Sequence, residues 1–245
     1  MARKSFKAGA LTAPLPPVMV TVGDMENSNV ITIGWTGILS TIPPRTYISV
    51  RPQRHSYKLL KEKGEFVVNL TTAKQARTVD YVGIYTGAKV DKFKECGLTK
   101  LKSKEVAPPT IAECPLALEC RVIEVIPMGT HDVFIADIVS VSCDDSILDE
   151  TGKIRFDRAD LMAYAHGEYY ALGEKVGKFG FSTKKASDTA RRSAKARPEQ
   201  KGKSEPKSAP VSRKEGKKDT ESEEKRPFYL DAPRGKGKPK RGKKR

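Results

Sequence analysis

The segment from Asn29 to Ser56, NVITIGWTGILSTIPPRTYISVRPQRHS, holds most of the side chains whose types and spacing could carry chemistry. An alternating strand leads into small and hydroxyl residues, which we expect to form a loop that a double proline keeps extended. Small residues let backbone N–H groups approach a planar ligand, and hydroxyl groups can bond phosphate oxygens. The residues concerned are Thr36, Gly37, Ser40 and Thr41, followed by Pro43 and Pro44.

Basic side chains follow the double proline. Arg51, Arg54 and His55 come directly before Ser56, which we expect to cap a helix. Guanidinium groups beside a helix N-terminus form a ready phosphate site. The segment therefore fits a phosphorylated, ring-containing ligand lying along the preceding strand. It fits equally well a barrel turn rich in glycine and proline with a solvated basic loop.

Other familiar chemistry is missing from the sequence. It contains no GxGxxG after a strand, no GxxxxGK[ST], no HExxH and no GxSxG, and its three histidines suggest no catalytic triad. The four cysteines form no CxxC pair and no cluster with histidine, so we expect free thiols and no metal site. These cysteines are Cys96, Cys114, Cys120 and Cys143.

Apolar stretches are too short to cross a membrane, which takes about 20 residues. Near the N-terminus, the apolar part is interrupted by Pro14, Pro16 and Pro17, so we expect no export signal and a cytoplasmic location.

The elements that must position these residues are mostly strands, because apolar and polar residues alternate through the first part of the chain. Three short helices are predicted between them, the second opening on a capping box of Thr72 and Gln75. Many strands with few helices favour a closed or nearly closed antiparallel barrel over a doubly wound α/β fold. The predicted strands are Val18–Val22, Ile31–Trp35, Ile48–Val50, Phe66–Leu70, Leu116–Ile126 and Val133–Ser142, with a turn at Pro127–Thr130. The predicted helices are Ser56–Lys63, which we expect Gly64 to stop, Thr72–Tyr81 and Asp91–Cys96.

The charge divides the chain into two parts. Of the net charge of +16, the part through Phe181 carries 23 basic and 21 acidic residues, or +2, and the rest carries 23 basic and 9 acidic residues, or +14. We therefore expect a folded domain over 1–181 and a disordered Lys/Arg-rich tail over 182–245, which has almost no large apolar residues. The tail could hold RNA, DNA or another polyanion by counterion release, or could be a solubilising extension without a defined partner.

Several segments together resemble one family. The stretch from Asn29 to Ser56 is similar to the flavin-binding signature of the flavin reductase-like, FMN-binding split-barrel family. The match runs in order over residues 10–185 and leaves the tail out, and its last segment is similar to the flavoredoxin-like branch. The other matching segments are PLPPVMVTV (14–22), DKFKECGLT (91–99), IAECPLALECRVIEV (111–125), GTHDVFIADIVSV (129–141) and HGEYYALGEKVGKFGFS (166–182).

The resemblance implies a mainly β protein, a six-stranded antiparallel split barrel with a few short helices and FMN at the subunit interface of a homodimer. It implies a flavin ring lined by the segment after the second strand, a phosphate near the hydroxyl and basic residues, and a nicotinamide side near His131. Lys92 either reaches the flavin or is solvated. An aromatic group of His166, Tyr169 and Tyr170 either covers the flavin or packs at the interface. The residues implied are Trp35, Thr36, Gly37, Ile38 and Leu39 for the ring, and Ser40, Thr41, Arg51, Arg54, His55 and Ser56 for the phosphate and ribityl chain.

Two functions follow from the resemblance. The first is an NAD(P)H-dependent flavin reductase that passes hydride from NADH or NADPH to FMN, and electrons on to free flavin, a metal centre or a redox protein. No catalytic side chain is expected, because the flavin carries the chemistry. The second is a flavoredoxin-like electron-transfer protein without direct NAD(P)H activity.

Overall fold

Antiparallel strands form the body of the protein in the computed structural model, which describes residues 2–183. One sheet holds seven strands in the order β2-β1-β5-β8-β9-β4-β3, and two small sheets pair β6 with β7 and β10 with β11. The strands are β1 (Val18–Gly23), β2 (Ser28–Ile33), β3 (Thr36–Thr41), β4 (Pro44–Val50), β5 (Glu65–Leu70), β6 (Lys100–Leu101), β7 (Thr110–Ile111), β8 (Leu116–Pro127), β9 (Asp132–Cys143), β10 (Met162–Ala165) and β11 (Glu168–Ala171).

The two edges of the large sheet meet because its edge strands, β2 and β3, are consecutive in the chain and separated only by Gly34 and Trp35. The Ser49 N–H of the β4 strand donates to the Trp35 carbonyl at 3.0 Å, which fastens this link to β4. The sheet therefore curls into a split barrel, and the predicted mainly β antiparallel fold is confirmed. It has seven strands where six were expected, because residues 36–41 pair as a strand of their own.

The prediction of a loop after β2 is wrong. Residues 36–41 form the strand β3, which pairs antiparallel with β4. The Thr36 hydroxyl donates to the Tyr47 carbonyl at 2.6 Å, and the Thr46 hydroxyl donates to the Gly37 carbonyl at 2.9 Å. β-branched residues suit a strand, and their hydroxyls here bond across the hairpin instead of remaining free. Pro44 is tolerated because it is the first residue of β4.

All three predicted helices are present, as α1 (His55–Lys63), α2 (Ala76–Ile84) and α3 (Lys92–Glu95). The predicted stop of the first helix is confirmed, because Gly64 adopts the left-handed conformation that ends it (φ 64°). The predicted Ser56 cap is wrong: Arg54 occupies the N-cap position of α1. The Ser56 hydroxyl instead accepts a hydrogen bond from the Asn29 side-chain amide at 2.7 Å, which ties α1 to β2.

The predicted capping box is confirmed at Thr72 and Gln75. The Thr72 N–H donates to the Gln75 side-chain carbonyl at 2.9 Å. The box opens a single 3₁₀ turn, Ala73–Gln75, which leads directly into α2.

Apolar side chains are buried on both sides of β1. Its inward face packs inside the barrel against β4, β5 and β9, and its outward face is covered by α2 and α3. The helices that approach the end of β2 are thus held by apolar clusters on the two sides of β1. The interior cluster includes Val18, Val20, Val22, Ile48, Phe66 and Phe134, and the outer cluster includes Met19, Val30, Val79, Val82 and Phe93.

Residues through Lys175 form one compact unit, and a second unit begins at Val176. Of the second unit the structure describes only Val176 to Thr183, which include a 3₁₀ turn at Phe181–Thr183. The basic tail is predicted to be disordered. From residue 184 onward, this prediction concerns residues outside those that the structure describes. Across residues 2–183, no helix has the length and apolar character that a membrane crossing requires.

Candidate functional site

A cleft of about 480 Å³ opens where β2 ends, between the ends of β4, one face of α2 and the β10–β11 hairpin. This volume lies within the range of small-molecule sites, roughly 300–1,000 Å³. The lining combines aromatic rings with charged groups, which suits a ligand that is both planar and charged. The aromatic and charged lining residues are Trp35, Arg51, Arg54, Asp80, His131, Tyr164 and Tyr169.

Trp35 and His131 form one aromatic wall of the cleft. Their ring centroids lie 4.5 Å apart at an interplanar angle of 42°. Trp35 comes from the link between β2 and β3, and His131 from the turn between β8 and β9, so the barrel brings together two positions far apart in sequence. Trp35 is still 41% exposed, which leaves its ring surface available to a ligand.

His131 is held in one tautomer by its neighbours. Arg51 Nε donates to His131 Nε2 at 3.3 Å, and His131 Nδ1 lies 3.0 Å from the Thr130 hydroxyl. Burial, and then the positive charges of Arg51 and Arg54, lower the pKa of His131 below its ordinary value of 6.5. The imidazole is therefore neutral at pH 7, and because Nε2 accepts, Nδ1 carries the proton.

Tyr164 and Tyr169 also line the cleft. They are cross-strand partners in the β10–β11 hairpin, with ring centroids 5.4 Å apart. The Tyr169 hydroxyl donates to Asp80 Oδ1 on α2 at 3.3 Å. Burial and the negative charge of Asp80 raise the pKa of Tyr169 to about 12, so this phenol stays protonated at neutral pH.

The predicted group of His166, Tyr169 and Tyr170 does not form. His166 is exposed in the two-residue hairpin turn, where it and Gly167 both have positive φ (49° and 97°). Tyr170 is exposed and donates to the Glu168 carboxylate. Successive residues of a strand face opposite sides, so only Tyr169 can turn toward the cleft.

The basic end of the cleft is built around the start of α1. Arg54 lies at the N-cap position, and its guanidinium Nη1 donates to the Gly83 carbonyl of α2 at 2.9 Å. The first turn of α1 holds no acidic residue, so its N–H groups and the helix dipole are not neutralised there. A second cavity of about 120 Å³ adjoins the cleft at this point and shares Ile31 and Arg54 with it. This end can receive an anion.

Lys92 lies in the wall of this second cavity and is only 4% exposed, so the alternative of a solvated lysine is wrong. Its Nζ donates to the Val30 carbonyl at 2.9 Å and to the Val82 carbonyl at 2.8 Å, which ties α3 to β2 and α2. Burial, followed by the positive charge of Arg54, lowers the pKa of Lys92 from 10.5 to about 8.

Apart from His166 and Tyr170, which are exposed on the β10–β11 hairpin, the structure divides the predicted site residues into three sets. Five line the cleft, three line the adjoining cavity with Arg54, and the residues on β3 line neither. β3 lies at the edge of the large sheet, with Ile38 64% exposed and Leu39 51% exposed. The three sets are Trp35, Arg51, Arg54, His131 and Tyr169; His55, Ser56 and Lys92; and Thr36, Gly37, Ile38, Leu39, Ser40 and Thr41.

Sequence reasoning missed the contribution of α2 and β10 to the cleft. Asp80, Gly83 and Ile84 follow the i, i+3, i+4 spacing of one helix face, which is the signal that could have grouped them. Tyr164 gave no such signal, because β10 is only four residues long.

Asp80 is the one carboxylate in the lining of the cleft. Residues 2–183 contain no cluster of His, Cys, Asp and Glu that could hold a metal ion. The cleft thus offers aromatic surfaces and basic groups, which are suited to binding a planar anion.

Fold and cleft together define a split-barrel protein with a cleft lined by aromatic and basic side chains. Residues 11–173 match the family described as the flavin reductase like domain. The chain belongs to the flavin reductase-like family.

Relatives share the fold over most of this part of the chain. An uncharacterized protein of Archaeoglobus fulgidus is 34% identical over 143 residues, which cover 58% of this chain and 80% of that protein. The flavoredoxin of Desulfovibrio vulgaris (Miyazaki F) is similar with a TM-score of 0.70 and 32% identity, covering 75% of this chain and all of that one (100%). The flavoredoxin from Methanosarcina acetivorans has the same fold, with a TM-score of 0.68, 24% identity and coverage of 75% and 98%.

Proposed function

We propose that this protein binds FMN in the cleft and acts as an NAD(P)H-dependent flavin reductase. The observation that carries the proposal is the arrangement of the cleft: an aromatic wall at one end is continuous with the basic start of α1 at the other. FMN has the same two parts, a planar ring and a phosphate. Membership of the flavin reductase-like family and 32% identity to a flavoredoxin support flavin as the ligand.

Each wall of the cleft has a distinct role in this proposal. Trp35 and His131 would pack against the ring, while Arg54, Lys92 and the first turn of α1 would hold the phosphate. The neutral His131 adds an aromatic ring and no further charge, and the protonated Tyr169 presents a hydroxyl group to the cleft. Bound FMN would supply the redox chemistry, accepting hydride from a nicotinamide and releasing electrons to an acceptor.

The overall reaction needs no acid or base from the protein. NAD(P)H, a proton from solvent and oxidised flavin give NAD(P)⁺ and dihydroflavin, and the acceptor is free flavin or a redox protein. The single carboxylate of the cleft, Asp80, already accepts the Tyr169 hydrogen bond. In this proposal the residues that line the cleft therefore bind and orient the flavin and the nicotinamide.

Nicotinamide oxidation by the purified full-length protein tests this proposal. With FMN present, we expect oxidation of NADH or NADPH well above that caused by the same concentration of free FMN. The control is the protein without added FMN. Oxidation no faster than the free-flavin background, for both nicotinamides, would contradict the reductase proposal.

A second candidate is a flavoredoxin-like electron carrier. It is favoured by the 32% identity to the Desulfovibrio vulgaris flavoredoxin over the whole length of that protein. A carrier would hold FMN tightly and would be reduced by a partner redox protein or dithionite but not by NAD(P)H. The absorption spectrum of the FMN complex, recorded without air before and after addition of NADH and then NADPH, separates the two candidates.

We also propose that β3 forms the contact between two copies of the chain in a homodimer. Ile38 and Leu39 on this edge strand are 64% and 51% exposed, and Ile42, directly after it, is 70% exposed. Leu39 is the extra residue at a shift in the pairing with β4, so it and Ile38 are exposed consecutively. An exposed apolar edge of this kind is a binding surface or an aggregation hazard.

Replacing Ile38 and Leu39 together with serine should convert the homodimer into a monomer. The change removes apolar area from the proposed interface and leaves the buried core untouched. Sedimentation velocity measures the state directly, and Ile123→Ser, on another exposed apolar side chain, is the matched control. A wild-type monomer, or a double variant that remains dimeric, would contradict the proposal.

The basic tail remains a proposed polyanion-binding segment, resting on its +14 charge over residues 182–245. We expect full-length protein to be retained on heparin at low salt and released by moderate salt, whereas a chain ending at Ser182 should pass through. Equal retention of the two chains would show that the tail does not bind polyanions.

A further inference from the structure

A buried carboxylate directly follows His131, the residue that forms the aromatic wall of the cleft with Trp35. Asp132 is the first residue of β9 and is only 9% exposed. Its Oδ2 accepts a hydrogen bond from the Tyr57 hydroxyl of α1 at 2.5 Å. Neither Tyr57 nor Asp132 lines the cleft or the cavity that adjoins it, so the proposed function assigns no role to this pair.

Tyr57 is held in place by its own surroundings. Its ring packs edge-on against the ring of Phe134, with centroids 5.6 Å apart and an interplanar angle of 77°. Phe134 is fully buried inside the barrel. Because Tyr57 also lies in the first turn of α1, its phenol is a donor that the helix and the barrel interior fix together.

Asp132 is an anchored acceptor, because the large sheet holds its backbone on both sides. It pairs with Val50 of β4 and with Pro127 of β8. Burial of a carboxylate costs free energy unless the group is hydrogen-bonded or paired with a cation. Among residues 2–183 no Lys, Arg or His side chain forms an ion pair with Asp132, so the Tyr57 hydroxyl is the side-chain donor that compensates its burial.

The turn that leads into His131 has few other restraints. Residues 127–130 are all exposed, and one backbone hydrogen bond closes the turn, from the Met128 N–H to the His131 carbonyl at 2.8 Å. The two side-chain partners of His131, Arg51 and Thr130, are themselves exposed. Hydrogen bonds at exposed positions fix a side chain weakly, because water competes for both groups.

We infer that Tyr57 and Asp132 form a positioning pair, whose hydrogen bond fixes the base of this turn and so holds the His131 ring against Trp35. The pair also connects the first turn of α1, at one end of the cleft, to the aromatic wall at the other. Without the phenol, the carboxylate would regain hydrogen bonds only by moving toward water, and the adjacent His131 would move with it. The inference rests on the proposed function only where it concerns flavin binding, because the position of His131 can be measured without a ligand.

Trp35 provides this measurement, since it is the only tryptophan among the 245 residues. Its ring centroid lies 4.5 Å from that of His131, and a protonated imidazole in contact with an indole quenches its fluorescence more strongly than a neutral one. Burial and the charges of Arg51 and Arg54 lower the pKa of His131. The Trp35 emission of the ligand-free, full-length protein should therefore fall on acidification, in a step with a midpoint below pH 6.5. His131→Gln should abolish this step.

Tyr57→Phe removes the hydroxyl and keeps the aromatic ring. We expect the step in Trp35 emission to lose most of its amplitude, because the imidazole leaves the indole. Its midpoint should rise toward 6.5, because burial no longer lowers the pKa of His131. Asp132→Asn keeps a side-chain oxygen that can accept from the Tyr57 hydroxyl, so this variant should retain the amplitude.

The other groups that titrate or carry charge near His131 are the same in the wild type and in Tyr57→Phe, so a changed step reports the position of the imidazole. The matched control is Tyr81→Phe, on a half-buried tyrosine of α2 that lines neither the cleft nor the adjoining cavity, and it should behave as the wild type. The unchanged groups are Arg51 at the end of β4, Arg54 at the start of α1, Asp80 on α2, and Tyr164 and Tyr169 on the β10–β11 hairpin.

Flavin titration separates this inference from the proposed function. The affinities for FMN and riboflavin should fall together in Tyr57→Phe, by about fivefold, because the ring contact is loosened and the phosphate contact is not. If the wild type binds no flavin, the proposed function fails, and the fluorescence titration still decides the positioning.

Three results would overturn the inference. The first is an unchanged fluorescence step in Tyr57→Phe whose circular dichroism matches that of the wild type. The second is an equal loss of amplitude in Asp132→Asn, which would assign the effect to the charge of the carboxylate and not to the hydrogen bond. The third is a wild type without a step that His131→Gln removes, which would contradict the contact between His131 and Trp35.

Discussion

Replacing Arg54 with alanine should weaken FMN binding by about thirtyfold. Arg54 is the one charged side chain that lines both the cleft and the adjoining cavity while also occupying the N-cap position of α1. A hydrogen bond to a charged phosphate contributes about 2 kcal/mol, which corresponds to that change in affinity. Calorimetric titration with FMN gives the dissociation constants of wild type and variant.

Riboflavin distinguishes loss of the phosphate contact from general damage, because it carries the ring without the phosphate. Its affinity should change by less than threefold in Arg54→Ala, and Arg54→Lys should recover part of the FMN affinity, since it restores the charge without the planar fork. Arg77→Ala removes an exposed arginine of α2 that lines neither space and serves as the matched control. Equal loss of riboflavin and FMN affinity would show that Arg54 supports the fold and not the phosphate.

Replacing Lys92 with alanine should lower the free energy of unfolding by about 2 kcal/mol at pH 7. The change leaves a cavity at a position that is only 4% exposed, and it removes the hydrogen-bond donor from the carbonyls of Val30 and Val82. Urea unfolding of the two proteins, followed by circular dichroism, measures the difference. Lys94→Ala, two residues along the same short helix and exposed, should change stability by less than 0.5 kcal/mol, about the limit for surface sites.

The same pair of proteins should show a specific pH dependence. Because burial lowers the pKa of Lys92 from 10.5 to about 8, the unfolded chain binds more protons than the folded chain between these two pH values. The stability of the wild type relative to Lys92→Ala should therefore rise from pH 8 to pH 10.5, by up to about 3 kcal/mol. Below pH 8 the difference should be constant. A difference that stays constant throughout would show that Lys92 titrates normally.

Local patterns in the sequence were sufficient for most of the barrel. The alternation in Leu116–Pro127 and Asp132–Cys143 predicted the long β8–β9 hairpin almost to its ends, since strand periodicity is a property of neighbouring residues. Gly64 likewise predicted where α1 ends, because its left-handed conformation is a local requirement. β3 was missed because its residues alternate poorly: two apolar side chains, Ile38 and Leu39, are exposed in succession at a shift in pairing.

The candidate site depends on contacts that no local pattern contains. Arg51 and Arg54 were predicted near the helix start because they adjoin it in the chain. The pairing of Trp35 with His131 and that of Tyr169 with Asp80 join positions about 90 residues apart, so only the closed barrel and its helices bring them together. For Lys92 the sequence left two alternatives open, a contact with the flavin or a solvated side chain, and its burial follows from the way α3 packs against β2 and α2.

The sequence by itself therefore determined the strand-rich fold, the concentration of positive charge after residue 181 and the basic residues that precede α1. Each is set by composition or by residues a few positions apart. The tertiary structure alone decided that β3 is an edge strand, that Tyr164 and Asp80 complete the cleft and that Lys92 is buried beside it. Those outcomes depend on how segments distant in the sequence pack against one another. A side chain is buried, and a cleft is formed, only where separate elements meet.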